Sequence, residues 1–482
     1  MRIIRLHLLS VLILVSVVAP PITAQTPAEK PQSKKVAQSS KKKKKSTYAP
    51  VFVVQNTARL ALAAPKLQLV EITPVLKGVA TEPPRSIKTS KLKGIHVTPS
   101  GVPVPPATAG QLIISEFRLR GPNGANDEFI EIYNASGADH TVAAASGTGY
   151  GVAASDGTTR CTIPDGTVIL NGGHYLCVNS VGYSLGAYPA GDGTTATGDA
   201  TYTTDIPDNA GIALFNNNSG GGSYSLANRL DAVGSTSEAN TLYKEGTGYP
   251  ALTPFSIDYA FTRDECGKSG SITTFGNCTI STPKDTDNNA ADFFFVDTNG
   301  TSAGAGQRLG APGPQNLSSP IQRNSDIPFA LPAPCAGATA EPNRVRNFTS
   351  DPANNSTFGT LSIRREFTNA TPNDITRLRF RVIDLTTFPA PSGIADLRPR
   401  TSVDSVETNP DCNGGGSISI SGTTLEQPPS QPNGGGFNST LSAGTITLAT
   451  PLPSNGTIVV NLLFGIQQTG SYKVYVNMEA LP

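Results

Sequence analysis

The sequence predicts an all-β protein built from two antiparallel β-sandwiches. Apolar runs of roughly four to eight residues, often alternating with polar residues, are separated by clusters of Gly, Asn, Asp and Ser, which is typical of short strands. The 48 Gly and 39 Pro indicate many turns, and no window has a sustained helical period. Because a single core stops growing at roughly 250–300 residues, a chain of 482 residues is expected to form at least two domains.

Residues 1–24 have the features of a secretory signal peptide. Arg2 and Arg5 precede the apolar run Leu8–Val18, and the segment ends with the small residue Ala24. The apolar run is shorter than the roughly 20 residues that span a bilayer, and no later stretch approaches that length. We therefore expect an exported protein, secreted or associated with the cell surface, without a transmembrane segment.

Residues 25–109 are expected to form a disordered arm and linker rich in Lys and Pro. They carry 13 Lys and 2 Arg against 3 Glu, and prolines interrupt their few apolar patches. The densest charge is the run Lys41, Lys42, Lys43, Lys44 and Lys45, which predicts binding to an anionic polymer or lipid surface by counterion release. A solubilising spacer is the alternative. Because the net charge of the whole chain is only +1, the remaining body must be acidic.

The first sandwich domain is expected over residues 110–316. Its candidate strands share short length, β-branched or aromatic residues and flanking turn residues, and they are "LIISEFRL", "EFIEIYN", "GTVIL", "YLCVN", "GIALFN" and "RLDAV". Each run is too short and too alternating for a helix of ordinary length. An antiparallel arrangement of several such strands is the simplest fold for this segment.

The stretch "NDEFIEIYN", Asn126–Asn134, decides whether clustered carboxylates are expected. In a helix, Glu128 and Glu131 would share one face and could hold a metal ion or a proton together. In a strand they lie on opposite faces, because successive side chains alternate. Two isoleucines, two aromatic residues and flanking turn residues favour the strand. We therefore expect Ile130 and Ile132 to point into the core, and no paired-carboxylate site.

A Pro- and Ser-rich segment, residues 317–342, is predicted to be a linker to a second sandwich domain over residues 343–482. Candidate strands in this domain are "LSIRREFTN", "TRLRFRVIDLTTF", "GTITLAT", "GTIVVNLLFGI" and "GSYKVYVNMEAL". The last of these alternates between apolar and polar residues, which predicts one buried face and one wet face.

Three arginines alternate with apolar residues along one of these strands. Arg377, Arg379 and Arg381 would form a basic ladder on one face. Such ladders are usually solvated and paired with acidic neighbours on adjacent strands. Binding of an external anion is the alternative function for them.

Six cysteines in an exported chain favour disulfides over metal or redox sites. Their order suggests three local pairs: Cys161 with Cys177, Cys266 with Cys278, and Cys335 with Cys412. Fifteen connectivities are possible for six cysteines, so other pairings stay open. The sequence has no C-x-x-C spacing, which argues against zinc-ribbon or thioredoxin-like chemistry.

The segment "DTDNNAAD" resembles the start of a calcium-binding loop. Asp285, Asp287 and Asp292 are its candidate ligands. An EF-hand loop requires Gly at position six and Glu at position twelve, where this chain has Ala290 and Val296. An EF-hand is therefore excluded, and a weaker calcium site competes with a polar loop whose side chains cap their own turns.

Nucleophile and base pairs are scarce in this sequence. Ser184 lies in a G-x-S-x-G match, but the residues that follow cannot form the helix that a nucleophile elbow needs. A histidine would have to follow it, and the last histidine is His174. His140 and His174 are expected to be surface histidines without a catalytic role. No complete catalytic set is visible.

Several of these segments, taken in order, resemble the lamin tail domain as it occurs in exported bacterial proteins. The matching segments are "LIISEF", "DEFIEIYN", "GGHYLCVN", "IPDNAGIALF", "RLDAVG" and "GAPGPQN", which cover about residues 110–316. The resemblance implies an immunoglobulin-like β-sandwich that serves as a non-catalytic accessory of surface or secreted proteins. Filament formation is not expected, because the chain has neither heptads nor a prenylation box.

These observations predict an exported, non-enzymatic surface or extracellular protein. Its lamin-tail-like domain would be a binding, adhesion or scaffold module, and its basic arm would associate with the envelope or another polyanion. The expected partners are an anionic cell-envelope polymer, a polysaccharide or another surface protein, with nucleic acid less favoured. No cofactor is expected apart from an optional calcium ion. The alternatives are a structural surface-layer component and a metal-dependent hydrolase of phosphodiesters or polysaccharides, or an accessory domain of one.

Overall fold

The structure is a computed structural model that describes residues 105–188, 195–265, 282–298, 308–385, 395–408, 416–426 and 436–482. Within these ranges the chain is almost entirely strands and turns, with one short α-helix, which confirms the predicted all-β class. The proposed signal peptide and most of the basic arm, including the lysine run, lie outside the described residues. No helix in the described ranges has the length and apolar character needed to cross a membrane.

The first half of the described chain contains thirteen strands and the helix. They are β1 (Leu112–Arg118), β2 (Phe129–Asn134), β3 (His140–Thr141), β4 (Gly149–Ala154), β5 (Thr159–Pro164), β6 (Val168–Ile169), β7 (His174–Asn179), β8 (Ala200–Tyr202), β9 (Ile212–Phe215), β10 (Arg229–Val233), β11 (Tyr259–Arg263), α1 (Asn289–Asp292), β12 (Phe293–Asp297) and β13 (Arg308–Leu309).

The second half contains twelve strands among its described residues. They are β14 (Ile321–Gln322), β15 (Phe329–Ala330), β16 (Arg344–Asn347), β17 (Thr360–Thr368), β18 (Arg377–Leu385), β19 (Asp396–Arg400), β20 (Ser405–Thr408), β21 (Ser417–Ile420), β22 (Thr424–Glu426), β23 (Thr440–Ser442), β24 (Thr457–Gln468) and β25 (Val474–Leu481). Single 3₁₀ turns occur at Gly221–Ser223, Thr241–Tyr243, Pro334–Ala336 and Pro352–Asn354.

The strands from β1 to β13 form two main sheets, which we call the N-terminal sheet pair. One has the order β13-β12-β11-β1-β2-β7-β8 and the other β10-β9-β4-β5. Pairing is antiparallel except at β12–β13 and β7–β8. Apolar side chains of both sheets, such as Ile114 and Ile132 from one and Val152 and Leu214 from the other, form a common core. The β-branched residues pack well on such pleated surfaces.

A disulfide connects the two sheets of this pair. Cys161 lies on β5 and Cys177 on β7, and their sulfurs are bonded. The predicted pairing of these two cysteines is therefore confirmed. Cys335 is also disulfide-bonded, whereas Cys266, Cys278 and Cys412 lie outside the described residues.

The strands from β14 to β25 form two further main sheets, the C-terminal sheet pair. One has the order β14-β25-β18-β23-β22, and the other has the order β15-β17-β24-β19 with β16 paired to the side of β17. The apolar residues of β25, including Val476 and Met478, face Leu462 and Phe464 of β24 in a second core. This is the buried face that the alternation in the last strand predicts.

Two segments differ from the sequence expectation. "GTITLAT", residues 444–450, is not a strand, because Thr447 and Thr450 close a turn in which the Thr447 hydroxyl accepts backbone N–H groups. Leu448 is consequently exposed. Within the Pro- and Ser-rich segment 317–342, β14 pairs with β25 and β15 pairs with β17, so this stretch adds edge strands to both sheets of the C-terminal pair.

The alternation alone predicts that the polar face of the last strand is exposed to water, but in the structure this face is buried. Tyr475, Asn477 and Glu479 of β25 are all buried. This face lies against the seven-stranded sheet of the N-terminal pair, as hydrogen bonds between the two sheet pairs show. Both faces of β25 are therefore covered, one by an apolar core and the other by a polar contact.

Candidate functional site

The contact between the two sheet pairs contains a group of buried ionisable side chains around a small cavity. We call this group the junction cluster. Three members come from the N-terminal pair and three from the C-terminal pair, and all are buried: Glu116, Glu131, His174, Arg379, Arg381 and Glu479.

Strand alternation and register place the basic and acidic members of the C-terminal pair together. Arg379 and Arg381 are two residues apart on β18, so they lie on the same face. Arg379 is the cross-strand partner of Glu479 on β25. The Glu479 side chain therefore lies between two guanidinium groups on the face opposite the apolar core. The sequence predicted the arginine ladder correctly, but not its burial.

Glu479 holds both arginines through short hydrogen bonds. The Nε of Arg379 donates to Oε2 at 2.6 Å, and the Nε of Arg381 donates to Oε1 at 2.7 Å. Burial alone would raise the pKa of the Glu479 carboxyl, but the two arginines outweigh burial and lower this pKa. Burial by itself lowers the pKa of Arg381, and Glu479 reverses that effect, so the pKa of Arg381 is raised. This pair is therefore ionised at neutral pH.

Glu116 of β1 accepts hydrogen bonds from both sides of the contact. The Gly313 N–H donates to its Oε1 at 2.9 Å, and Asn438 Nδ2 donates to its Oε2 at 3.1 Å. The amide oxygen of the same Asn438 accepts from Arg381 Nη1 at 2.8 Å. Asn438 thus connects an N-terminal carboxylate to a C-terminal guanidinium. Burial raises the pKa of Glu116, although the Gly313 N–H and Arg381 oppose that rise.

Glu131 of β2 is the second carboxylate of the N-terminal pair. Ser115 Oγ donates to its Oε1 at 2.5 Å, and the Gln315 N–H donates to its Oε2 at 2.6 Å. Burial raises the pKa of Glu131 well above its usual value, and the neighbouring Glu116 raises it further. Glu131 therefore tends to keep its proton, because its ionisation would place a second negative charge beside Glu116 in a buried site.

His174 corrects one expectation. The sequence predicts a surface histidine, but the first residue of β7 is buried because the C-terminal pair covers this face. Its Nε2 lies 3.7 Å from Glu131 Oε1. Burial lowers the pKa of His174 well below its usual value, and Arg381 and Arg379 lower it further. The imidazole is therefore neutral at physiological pH.

The cavity enclosed by these residues is small. Its volume is about 30 Å³, and it is lined by every member of the junction cluster except Arg379, together with polar side chains such as Gln315 and Asn477. This volume is enough for about one or two water molecules. The cluster can hold water, charges and protons, but it has no room for an organic substrate.

The predicted calcium ligands are only partly brought together. Asp285 forms a group with Asp231 and Glu245, whose oxygens lie within 4.8 Å of one another. Arg263 already contacts this group, because its Nη2 donates to both oxygens of Asp231 at 2.8 Å and its Nη1 lies 3.3 Å from Asp285. A guanidinium therefore supplies the positive charge beside these carboxylates.

In the part of the chain that the structure describes, the other two calcium candidates do not belong to the group of Asp231, Glu245 and Asp285. Asp292, the last residue of α1, accepts hydrogen bonds from the Thr286 N–H at 2.9 Å and the Thr286 hydroxyl at 2.7 Å. Asp287 is exposed, with a left-handed φ of 53° that suits a turn. The Asp292 side chain thus matches the alternative of a polar loop that caps its own turns, and Asp287 occupies an exposed turn of that loop.

Among the three ladder arginines, only Arg377 keeps a partly exposed side chain. Its Nη1 donates to the Ser318 carbonyl at 3.3 Å. The lysine run of the arm, Lys41–Lys45, lies outside the described residues. No helix follows Ser184 over the described residues 185–188, and the Ser184 hydroxyl accepts a hydrogen bond from the buried Arg118.

Glu128 and Glu131 have separate surroundings, as the strand prediction requires. Glu131 belongs to the junction cluster, whereas Glu128 accepts hydrogen bonds from Asn179 Nδ2 and the Ile206 N–H, each at 2.8 Å. Burial raises the pKa of Glu128 to about 8, although those two donors oppose the rise. The strand residues Ile130 and Ile132 belong to the apolar core.

This shift predicts that Glu128 makes stability depend on pH. Its carboxyl ionises near pH 4.5 at the ordinary value and near pH 8 when folded, so the folded state binds more protons between those limits. Stability should therefore fall as pH rises through this window, by up to about 1.4 kcal/mol per pH unit. Glu128→Gln should remove this contribution, so that urea midpoints measured from pH 5 to pH 8 fall less steeply than in the wild type.

Glu238→Gln is the matched control. The N–H groups of Asn240 and Gly211 outweigh burial and lower the pKa of Glu238, so this residue is ionised in both states above pH 5. Its variant should keep the wild-type slope between pH 5 and pH 8. A lost hydrogen bond in either variant adds a constant offset without changing the slope. Parallel curves for Glu128→Gln and the wild type would contradict the prediction.

The contact between the two sheet pairs could have been inferred from the charged residues on the outer faces of the predicted strands. The second faces of β1 and β2 carry one glutamate each, Glu116 and Glu131, with Arg118 also on the β1 face, whereas three arginines lie on the second face of β18. Two such faces of opposite charge complement each other in an interface. Comparing the charges of the two predicted outer faces would have indicated this contact.

Comparison with known proteins finds no family model, no curated protein and no solved structure that matches the chain.

Proposed function

We propose that this chain is an exported, non-enzymatic surface or extracellular protein whose folded body is a binding or scaffold module. In this proposal, residues 110–316 form a lamin-tail-like domain with an immunoglobulin-like sandwich, and residues 1–24 direct export. The basic arm associates the body with an anionic polymer of the cell envelope. The two sheet pairs act as one unit because the junction cluster fastens them together.

One observation supports a scaffold more than a catalyst. All six carboxylate oxygens of Glu116, Glu131 and Glu479 accept hydrogen bonds from the protein itself. Groups with raised pKa values often mark active sites, but buried structural networks shift pKa values as well. Here the three glutamates with shifted pKa values line one cavity of only about 30 Å³. The arrangement suits a rigid connection between two bodies.

Charge neutralisation of the arm tests the proposed envelope association. A variant in which the five residues Lys41–Lys45 become glutamine should leave the cell-surface fraction at lower salt than the wild type, because fewer counterions are released on binding. Cell fractionation followed by washes of increasing salt measures this difference. Growth medium and washed cells should be assayed for the full chain with the same antibody.

A second variant removes the same number of charges from elsewhere in the arm. It replaces five scattered lysines by glutamine, namely Lys66, Lys77, Lys88, Lys91 and Lys93. We expect this variant to be retained better than the cluster variant, because scattered charges produce a weaker local potential. Equal retention of wild type and cluster variant would remove the anchoring role from the proposal.

A further inference from the structure

A pocket on the C-terminal sheet pair combines an apolar floor with unneutralised cations. Its volume is about 220 Å³, several times that of the junction cavity. Apolar side chains from three neighbouring strands form its floor: Leu361 of β17, Leu397 of β19 and Ile466 of β24. A polar turn after β24 completes the wall. A cavity of this kind, apolar with a few placed polar groups, is typical of small-molecule sites.

Two arginines of the edge strand β16 line this pocket. In the antiparallel register, Arg344 lies opposite Ile363 and Arg346 opposite Leu361. Cross-strand partners have their side chains on the same face, so both arginines project on the side of the apolar core. Tyr472 also lines the pocket, and its hydroxyl accepts a hydrogen bond from Arg344 Nη1 at 3.2 Å.

The charges of these two arginines are not balanced by carboxylates. Neighbouring arginines have acidic partners: Arg364 pairs with Glu407, and Arg398 pairs with Asp396. Within the described ranges, by contrast, Arg344 and Arg346 form no ion pair with a carboxylate. Arg346 instead donates to the backbone carbonyls of Asn347, Phe358 and Thr360, and its guanidinium lies 4.5 Å from the centre of the Phe348 ring.

We propose that this pocket binds a small amphiphilic oxyanion, a carboxylate or phosphate ester that carries a short apolar chain. The Arg344 guanidinium can match the planar or tetrahedral oxyanion by charge-assisted hydrogen bonds, and Arg346, whose Nη groups donate to carbonyls, adds positive charge beside it. The Tyr472 hydroxyl supplies a further polar contact, and the leucine and isoleucine floor accepts the apolar chain. Burial lowers the pKa of Arg346, as expected for a cation without an acidic neighbour, and an anionic ligand would relieve that cost. This site is independent of the arm and of the junction cluster.

Calorimetric titration of the full chain tests the ligand class with four probes. Octanoate and octyl phosphate carry the two kinds of oxyanion, octanol carries the same chain without charge, and acetate carries the charge without the chain. We expect at least one of the two octyl anions to bind at least about tenfold more tightly than both octanol and acetate. Octanol binding as tightly as the anions, or no binding by either anion, would overturn the proposal.

Variants of the residues that line the pocket test whether the anion binds there. The double change Arg344→Gln with Arg346→Gln should weaken anion binding by about tenfold or more and leave octanol unaffected. Tyr472→Phe removes a single hydroxyl and should weaken binding a few-fold. The matched control, Arg323→Gln with Arg377→Gln, loses the same charge outside the pocket and should bind like the wild type.

Melting temperatures of the variants without ligand separate misfolding from loss of the site. If the double variant does not fold, the Tyr472→Phe variant carries the test, because it preserves shape and charge. Undiminished anion binding by a folded double variant would overturn the assignment to this pocket. So would an equal loss in the control pair, which would indicate nonspecific attraction by net charge.

Discussion

Replacing Arg263 by methionine is expected to lower the free energy of unfolding by about 3–5 kcal/mol. The guanidinium is buried in the N-terminal sheet pair, where its Nη2 donates to both oxygens of the buried Asp231 at 2.8 Å and its Nε donates to the Ile114 carbonyl at 2.7 Å. Methionine keeps much of the side-chain volume but leaves Asp231 as an uncompensated buried charge. Urea unfolding at pH 7 measures the effect.

The environment of Arg263 makes this loss larger than that of an ordinary ion pair. Glu245 already shares the site, and burial followed by the charges of Asp231 and Asp285 raises its pKa to about 9. Removing the guanidinium adds to the repulsion among these carboxylates. The Arg263 guanidinium also lies 4.6 Å from the centre of the Phe293 ring, so its packing is lost as well.

Arg120→Met is the matched control for this prediction. Arg120 forms an ion pair with Asp208 at 2.9 Å, but both side chains are partly exposed. Pairs of that kind contribute about 0–1 kcal/mol. A similar loss of stability in the two variants would show that burial of the Arg263 pair is not what stabilises the fold.

Replacing Glu479 by glutamine is expected to cost about 3–5 kcal/mol in the same assay, because two buried guanidinium groups lose their shared counter-charge. Glutamine has nearly the same volume, so the variant keeps the packing while it removes the negative charge and one of the two acceptors of the arginine Nε groups. Calorimetry gives a second readout. If the junction cluster couples the two sheet pairs, the variant should unfold over a broader transition than the wild type, because the pairs then melt less cooperatively.

Two comparisons make the Glu479 experiment decisive. Glu366→Gln changes the same residue type on β17, where no ion pair involves the glutamate among the described residues, and should change stability by less than about 0.5 kcal/mol. Adding Arg381→Met to Glu479→Gln should recover part of the loss, because the second change removes one of the uncompensated charges. Full additivity of the two losses would contradict direct coupling between these side chains.

The sequence predicted those strands well in which apolar residues occupy every second position. In "NDEFIEIYN", two β-branched residues at alternate positions identified both the strand and its core face, and Ile130 and Ile132 lie in that core. In the last strand, Val476 and Met478 also lie in a core as predicted. Local spacing determines these outcomes, so a sequence argument can reach them.

The other face of the same strands could not be predicted in this way. Alternation distinguishes two faces, but whether the polar face meets water or protein depends on segments far away in sequence. Glu116 and Asn438, for example, are 322 residues apart and share a hydrogen bond. The burial of Arg379, Arg381 and His174 follows from that long-range contact. The failed strand at residues 444–450 has a local cause instead, since threonine hydroxyls stabilise a turn as readily as their side chains fit a strand.

The polar nature of the junction has a consequence for how such a chain can change over generations. A half that loses its neighbour would expose charged groups such as Glu131 and Arg381 and only a small apolar contact, that of Phe294 and Val296 with Phe437. Such a surface promotes aggregation less than a large apolar surface does, so we expect duplication or exchange of a half to be tolerated better. We expect an ionic contact of this kind to permit recombination of the two halves, with new pairings selected by matching of charge.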